Sequence, residues 1–383
     1  MAQNSVSLHK KLRGKISITS KISPLKLGDI KLIYTPGVAK ICKQIQHNNS
    51  LKYSFTSKGN NVAIVTDGTR NLGLGNTGPD AALPVMEGKS AIYTEFGKIN
   101  AFPICLNTTD KNEIIQTIKA IEPVFGAINL EDIESPKVLD IANELEKILK
   151  IPIFHDDQHG TAIVVLAALL NSLKIVNKEI KNIKIVIVGS GSAGYGIAKL
   201  LHYSGCKNIV VLDSKGSIHK GRKGHMNKYK KEITKFTNPK EKGLLSAVIA
   251  NSDVFIGVSG VKNLLKVSMI KKMNKNSIVF ALTNPEPEVV PSIAKNAGVK
   301  IIATGSFKYN NKVNNAIVFP YLMRVILDLK IKRITMKILY DTAHAIANTV
   351  DKNKLSINNI IPELGDTRIQ KKIMESLRNT KSS

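Results

Sequence analysis

Apolar residues in the second half of the chain come in short blocks that recur at a regular interval. Ile185–Val188, Ile209–Leu212, Val254–Val258, Ile278–Leu282 and Lys300–Ala303 are brief and rich in β-branched side chains. Segments of helical length separate them, so the rhythm predicts a parallel sheet covered by helices on both faces. In the first half, Ile114, Ile115, Ile118 and Ile121 recur at helical spacing behind Asp110, which reads as an N-cap. A strand is expected near Phe125–Leu130. Ser135 and Pro136 then read as an N-cap and a first helical residue, opening a helix to about Leu149. Ile151–Phe154 is the next expected strand. The stretch 160–176 is nearly all apolar, which predicts a buried helix. The first 30 residues are basic and weakly patterned, an arm or a short helical lead-in, and the last 70 look helical. The fold expected is α/β: an N-terminal α/β unit (1–158), then a Rossmann-type doubly wound parallel sheet with C-terminal helices (159–383). Those terminal helices are free to pack back on the first unit.

Composition narrows the class. With 43% hydrophobic and 22% charged residues, the 383-residue chain is an ordinary globular protein. The longest uninterrupted apolar run, Ala162–Leu170, falls short of the roughly 20 residues a bilayer requires, so no membrane association is expected. The amino terminus lacks a hydrophobic signal region. Three scattered cysteines argue against a disulfide framework or structural zinc, and a reducing cytoplasm fits. The formal charge of +27 does not imply a nucleic-acid partner, because lysine is spread along the chain without interleaved aromatics. Its densest run, Lys215 to Lys242, reads as a solvated basic loop.

The strand Ile185–Val188 runs directly into Gly189-Ser-Gly-Ser192-Ala193-Gly194, with a helix after it. That context makes G-x-G-x-x-G a dinucleotide fingerprint. Gly189 permits the turn, Gly191 lets the backbone approach a pyrophosphate, and Gly194 lets helix pack on strand. The helix N-terminus, with Ser192 and Ala193, offers free N–H groups to phosphates. Asp213 ends the next strand where an acceptor for ribose hydroxyls belongs, which favours NAD over NADP. Ser214 and Lys215 pull the other way, since they could accommodate a 2′-phosphate, and NADP stays open.

Two acidic pairs, Glu131-Asp132 and Asp156-Asp157, each follow a strand, with a helix between. A strand–helix–strand unit sets its strands parallel, so both pairs emerge at one carboxyl edge. Carboxylates gathered there repel one another unless a cation neutralises them, and oxygen-only ligation suits Mg²⁺ or Mn²⁺. Capping of the following helices is the competing reading. His155 and His159 have no further nitrogen or sulfur ligand near them in sequence, so they read as core or solvated histidines rather than a zinc site. Thr66-Asp-Gly-Thr-Arg70 leads into a glycine-rich loop whose arginine can fork a carboxylate. Lys89 follows a glycine, and beside a divalent cation its pKa would fall toward that of a general base. Tyr34 precedes a turn, Asn284 lies past a strand end, and Asn314 and Asn315 open a late helix, where capping is the plain role.

Taken together, these segments resemble the malic enzyme family, especially its short bacterial branch. The residues that carry the resemblance are Tyr34-Thr-Pro-Gly-Val-Ala, Val65-Thr-Asp-Gly-Thr, Leu72-Gly-Leu-Gly, Pro84-Val-Met-Glu-Gly-Lys, Ile128-Asn-Leu-Glu-Asp, Phe154-His-Asp-Asp-Gln-His-Gly-Thr-Ala, Ala281-Leu-Thr-Asn-Pro-Glu-Pro-Glu and Val313-Asn-Asn. They stand in the family's order and cover nearly the whole chain. The resemblance implies an N-terminal catalytic domain, a C-terminal NAD(P) domain and a homodimer at least. It also implies oxidative decarboxylation of (S)-malate to pyruvate and CO2, against the alternative of a hydroxy- or amino-acid dehydrogenase that does not decarboxylate. In that reading Tyr34 is the general acid, Lys89 the general base, and Asp156 orients Lys89. Glu131, Asp132 and Asp157 hold the metal, and Asn284 and Asn315 contact substrate, with Asn284 also beside the cofactor. Arg70 stands where the short branch has a small residue and the long eukaryotic branch a malate-binding arginine, which makes it a substrate ligand. Ala303-Thr-Gly-Ser-Phe-Lys308 departs from the branch's A-T-G-R-S-D, so an Arg and an Asp are missing there.

Overall fold

The structure, a computed structural model, describes residues 4–71, 73–237 and 240–381. Leu72, part of one family segment, lies outside the described residues, as do the final two residues of the stretch expected to be helical.

Residues 4–57 include helices α1 (Ser5–Leu12), α2 (Leu27–Ile33) and α3 (Val38–His47). None of the described residues before Lys58 is buried. The apolar side chains of this arm face outward: Ile18, Leu27 and Leu32 are 88%, 76% and 72% exposed.

Two parallel sheets follow. In the first, β1 (Asn61–Thr66), β2 (Asn100–Cys105), β3 (Ala127–Leu130) and β4 (Ile153–His155) lie in the order β2-β1-β3-β4. Helices α4 (Gly78–Gly97), α5 (Lys111–Ile121) and α6 (Lys137–Ile148) connect them. Asp110 caps α5 as expected, accepting from the N–H groups of Asn112 and Glu113. Ser135 does not cap α6. The helix starts at Lys137 behind Pro136, with no side-chain cap, and the Ser135 side chain lies beside Gly191 instead.

A single π turn, Asp156–Gly160, joins β4 to helix α7 (Thr161–Val176), whose apolar residues are almost all buried. By length and composition the continuous segment Asp156–Val176 could cross a bilayer, but 78% of its apolar window is packed inside the protein. It is a core helix.

The second sheet has the order β10-β9-β8-β5-β6-β7, formed by β5 (Lys184–Val188), β6 (Asn208–Asp213), β7 (Gly216–Ser217), β8 (Val254–Gly257), β9 (Ile278–Ala281) and β10 (Ile301–Thr304). All neighbours are parallel except the two-residue β7. Its pleat sends alternate residues to opposite faces. Ile185, Ile187, Ile256 and Phe280 enter one core, which runs on into the first sheet, while Val186, Val188, Phe255 and Val279 enter another. Burying each such side chain is worth roughly 1.5–3 kcal/mol. Strand order reverses between β5 and β8, which opens a crevice at their carboxyl ends, where ligands bind in sheets of this kind.

Helices α8 (Ser192–Tyr203) and α9 (Lys228–Ile233) follow β5 and β7. The basic run from Lys215 is therefore not a plain loop, because it contains β7 and α9. Helices α10 (Phe319–Asp328), α11 (Met336–Ala347) and α12 (Arg368–Lys381) close the chain. Helix α10 packs back on α4 of the first unit, where a Cβ on Gly97 would lie 2.7 Å from the Pro320 carbonyl.

Candidate active site

Strands β3 and β4 pair in parallel, with Leu130 opposite His155. The residues that follow them, Glu131-Asp132 and Asp156-Asp157, are thereby brought out side by side at one sheet edge. Helix α4 reaches the same place from behind and presents Lys89. The ammonium lies 2.7 Å from Glu131 Oε1 and 2.5 Å from Asp156 Oδ2, and Lys89 is only 7% exposed. The Phe319 ring sits 4.2 Å from the Lys89 Nζ and supplies a π face.

These groups line a cavity of about 600 Å³ between the two sheets. Arg70, Lys89, Glu131, Asp132, Asp156 and Asp157 reach it from the first sheet, and Ala193, Asn284 and Asn315 from the second. Tyr34 is not among the residues that line it. This tyrosine is 68% exposed, at the end of α2.

Electrostatics inside the cavity are set by crowding. Glu131 is pushed well above the carboxylate range, first by burial and then, against the pull of Lys89, by Asp156, Asp157 and Asp132. Burial pulls Lys89 down, but Asp156 and Glu131 outweigh it and hold the ammonium above its ordinary value. Without a cation beside them, these two carboxylates keep Lys89 protonated. Asp156 Oδ1 and Asp157 Oδ2 are buried without a hydrogen-bond partner among the described residues. Buried acceptors in that state cost free energy until a donor or cation meets them, so the all-oxygen set fits a hard divalent cation. No three His, Cys, Asp or Glu among the described residues form a ready coordination shell. His155 and His159 are buried, and burial takes His159 down to about 3, as befits neutral core imidazoles.

Several further groups position these side chains. Asn129 on β3 donates to Glu131 Oε2 at 3.0 Å and accepts from the Tyr93 hydroxyl at 2.7 Å. Tyr93 in turn meets Phe319, with ring centroids 4.7 Å apart. Gly160 leaves room for Asp156, because a Cβ there would lie 2.1 Å from Oδ1. Asn315 donates to Asp156 Oδ2 at 3.2 Å and to Thr161 Oγ1 at 3.1 Å, so its amide is held by the protein. Asn314 caps its helix, accepting from the Ala316 N–H. Glu288, fully buried, accepts from the Thr283 N–H and hydroxyl and from Ser259, pinning the loop that carries Asn284. A cluster of contacts between distant segments explains why these roles escape sequence reading. Asn129, Gly160 and Glu288 stand inside the family segments, the one signal available for them.

The fingerprint turn lies at the β5 end. Gly189 has φ +115°, and a Cβ there would lie 2.5 Å from the Val258 carbonyl. Gly194 packs so closely that a Cβ would meet the Gly189 carbonyl. Gly191 is the N-cap of α8, where no side chain occupies the free N–H groups, and the Ser192 hydroxyl is buried with no partner among the described residues. This vacancy of donors suits a pyrophosphate. Arg70 connects the turn to the acidic cluster, with Nη1 3.5 Å from a Cβ built on Gly191.

Asp213 is not a free acceptor. Its Oδ1 receives the Lys215 N–H and Arg222 Nη2, each at 2.8 Å, and its Oδ2 receives Lys230 Nζ at 2.7 Å. Burial raises its pKa, but Arg222 and Lys230 outweigh that and hold it low. Two cations thus neutralise the carboxylate on which the expectation of NAD over NADP rested. Lys215, Arg222 and Lys223 line a depression of about 340 Å³ beside it.

Comparison with known proteins adds the family. Residues 158–376 match the family described as "Malic enzyme, NAD binding domain", and residues 14–113 match "Malic enzyme, N-terminal domain". The bifunctional malic/malolactic enzyme of Bacillus subtilis is 46% identical over 96% of this chain and 90% of its own length. The NAD-dependent malic enzyme of Geobacillus stearothermophilus is 46% identical over 95% of the chain and 76% of its length. The crystal structure of an NAD-dependent malic enzyme from Thermotoga maritima superposes with a TM-score of 0.94 at 40% identity, covering 98% of this chain and 99% of that one.

Proposed function

This chain belongs to the malic enzyme family, and from that premise we propose how its own residues carry the reaction. It oxidises and decarboxylates malate to pyruvate and CO2 while reducing a nicotinamide cofactor. Residues 1–158 handle malate and metal, and residues 159–383 bind the dinucleotide. The observation that carries the assignment is Lys89, buried between Glu131 and Asp156 in the cavity that Arg70 and Asn284 also line.

Arg70 binds a malate carboxylate through paired N–H donors. Asn284 and Asn315 place the substrate against the nicotinamide, and Asp156 holds the Lys89 amine toward the C2 hydroxyl. Lys89 takes the hydroxyl proton as hydride leaves C2 for the nicotinamide ring, giving a 2-oxo acid. The bond from C3 to the distal carboxylate then breaks. CO2 departs, the electron pair forms enolpyruvate, and Tyr34 delivers a proton to C3. Glu131, Asp132 and Asp157 would hold a Mg²⁺ or Mn²⁺ ion, which would supply Lewis acidity. A cation on Glu131 would withdraw one of the two carboxylates that keep Lys89 protonated, and so would move Lys89 in the direction a base requires.

Tyr34 lies outside the cavity of its own chain, within an arm whose apolar side chains are uncovered. A homodimer accounts for both facts: the arm packs on a second copy, and Tyr34 serves that copy's site. For the cofactor, neutralisation of Asp213 by Arg222 and Lys230 supports acceptance of NADP beside NAD, with the basic depression receiving a 2′-phosphate.

The test of the chemistry follows reduced cofactor and pyruvate together, with malate and Mn²⁺. Equal yields support the reading, and reduced cofactor formed without pyruvate would sink it. Solvent hydrogen exchange into C3 of pyruvate isolates the last proton transfer. Tyr34→Phe should abolish that exchange, and retention at the wild-type rate returns Tyr34 to a packing role.

A further inference from the structure

A cleft of about 810 Å³ lies apart from the catalytic cavity, bordered by α8, α9 and the start of α11. Its walls carry four lysines, Lys199, Lys228, Lys231 and Lys235, against one carboxylate, Glu232. Lys199 is paired with Glu232 at 3.1 Å, and Lys228 with Asp140 at 2.5 Å. Among the described residues Lys231 and Lys235 form no close ion pair, although Lys235 lies within electrostatic reach of Glu232, which Lys199 already holds. One side is aromatic: His202 stacks on Phe236, with centroids 4.9 Å and planes 22° apart. An adjoining depression of about 490 Å³ shares Asn143 and Lys228 and adds Lys147, Arg333 and one carboxylate, Glu146.

Uncompensated cations call for a polyanion, and a stacked ring face calls for a planar group. A small dicarboxylate or a single phosphate would use the lysines but leave the rings bare. An apolar ligand would cover the rings and desolvate unpaired ammonium groups at a cost. Both demands are met by one molecule of nucleotide size, which the volume suits.

We propose that this cleft binds a nucleoside triphosphate, with its base on His202 and Phe236 and its phosphates on Lys231 and Lys235, and that occupancy is coupled to the dinucleotide site. Helix α9 is the link. Lys231 faces the cleft, while the preceding Lys230 donates to Asp213 at 2.7 Å at the end of β6. Tyr229 donates to Asp140 on α6 at 2.6 Å, and the Tyr195 hydroxyl of α8 donates to Glu232 at 2.7 Å. A ligand that fixes α9 therefore acts on the clamp around Asp213 and on helices of both sheets.

The test is calorimetric titration of ATP into the full chain at saturating NAD, without divalent metal. One ATP per chain should bind, with tripolyphosphate and adenosine each weaker by about tenfold or more. The double variant Lys231→Glu/Lys235→Glu should weaken ATP by about tenfold or more, and His202→Ala by less. Both variants should keep wild-type malate turnover, which shows that they fold. Coupling should shift the Kd for NAD by about fivefold when ATP is present, in the wild type and not in the double variant. Displacement of ATP by NAD, or wild-type ATP affinity in the double variant, overturns the site. Unchanged NAD affinity with ATP bound overturns the coupling.

Discussion

Arg70 touches two regions at once, the acidic cavity and the fingerprint turn at Gly191. If its guanidinium grips malate, Arg70→Ala should raise KM for malate by roughly 10- to 100-fold, the loss of charge-assisted hydrogen bonds. KM for the cofactor should move much less. A matched rise in both would assign the arginine to the pyrophosphate, and no change in either would leave it a structural charge. Asp213 poses a separate question of specificity. With Arg222 and Lys230 on its carboxylate, kcat/KM for NADP should lie within about tenfold of that for NAD, and Arg222→Ala should lower the NADP value selectively. A preference for NAD above about a hundredfold would restore Asp213 as the deciding acceptor. Sequence alone carried these residues only part of the way. It located Asp213 from strand and spacing, but Arg222 and Lys230 lie nine and seventeen positions on, in a run that reads as solvated charge. Folding that run back as β7 and α9 is what brings them to the carboxylate.

At the scale of elements, the strands were the most legible part. Runs such as Ile185–Val188 are apolar at every position because both faces of a parallel sheet are covered. Turns were read less well where a side chain had tertiary work, as Ser135 shows by facing Gly191 rather than capping α6. The π turn between β4 and α7 could not be read either, since its register depends on what Asp156 must reach. Gly160 lies in that turn, and there the geometry makes a direct prediction. Adding a Cβ 2.1 Å from Asp156 Oδ1 displaces the carboxylate that holds Lys89. Gly160→Ala should lower kcat by roughly 10- to 100-fold, as small misplacements of catalytic groups do, while circular dichroism shows the helices intact. Wild-type kcat in that variant would mean that Asp156 has another way to orient the lysine.

At the scale of the whole molecule, the N-terminal arm poses the largest packing problem. Its amphipathic helices bury no residue within the chain, and Ile18, Leu27, Leu32 and Tyr34 are each more than two-thirds exposed. So many exposed large apolar side chains on one arm point to an interaction site. Periodicity could not reveal the arm's partner, because a partner outside the chain leaves no trace in it. If the arm crosses to a second copy in an isologous dimer, each active site takes Lys89 from one chain and Tyr34 from the other. Complementation then follows from arithmetic. Tyr34→Phe and Lys89→Ala homodimers should each lose roughly 10²–10⁴ in turnover, the usual loss of a general acid or base. Unfolding and reassembling the two together yields heterodimers in which one site has both intact residues and the other has neither. Random assembly makes half the dimers mixed, so about a quarter of wild-type activity should return. If both residues come from the same chain, every site in the mixture lacks one of them, and no activity returns. Sedimentation of the mixture checks that dimers have formed. The appearance of activity on mixing thus separates a shared site from a self-contained one.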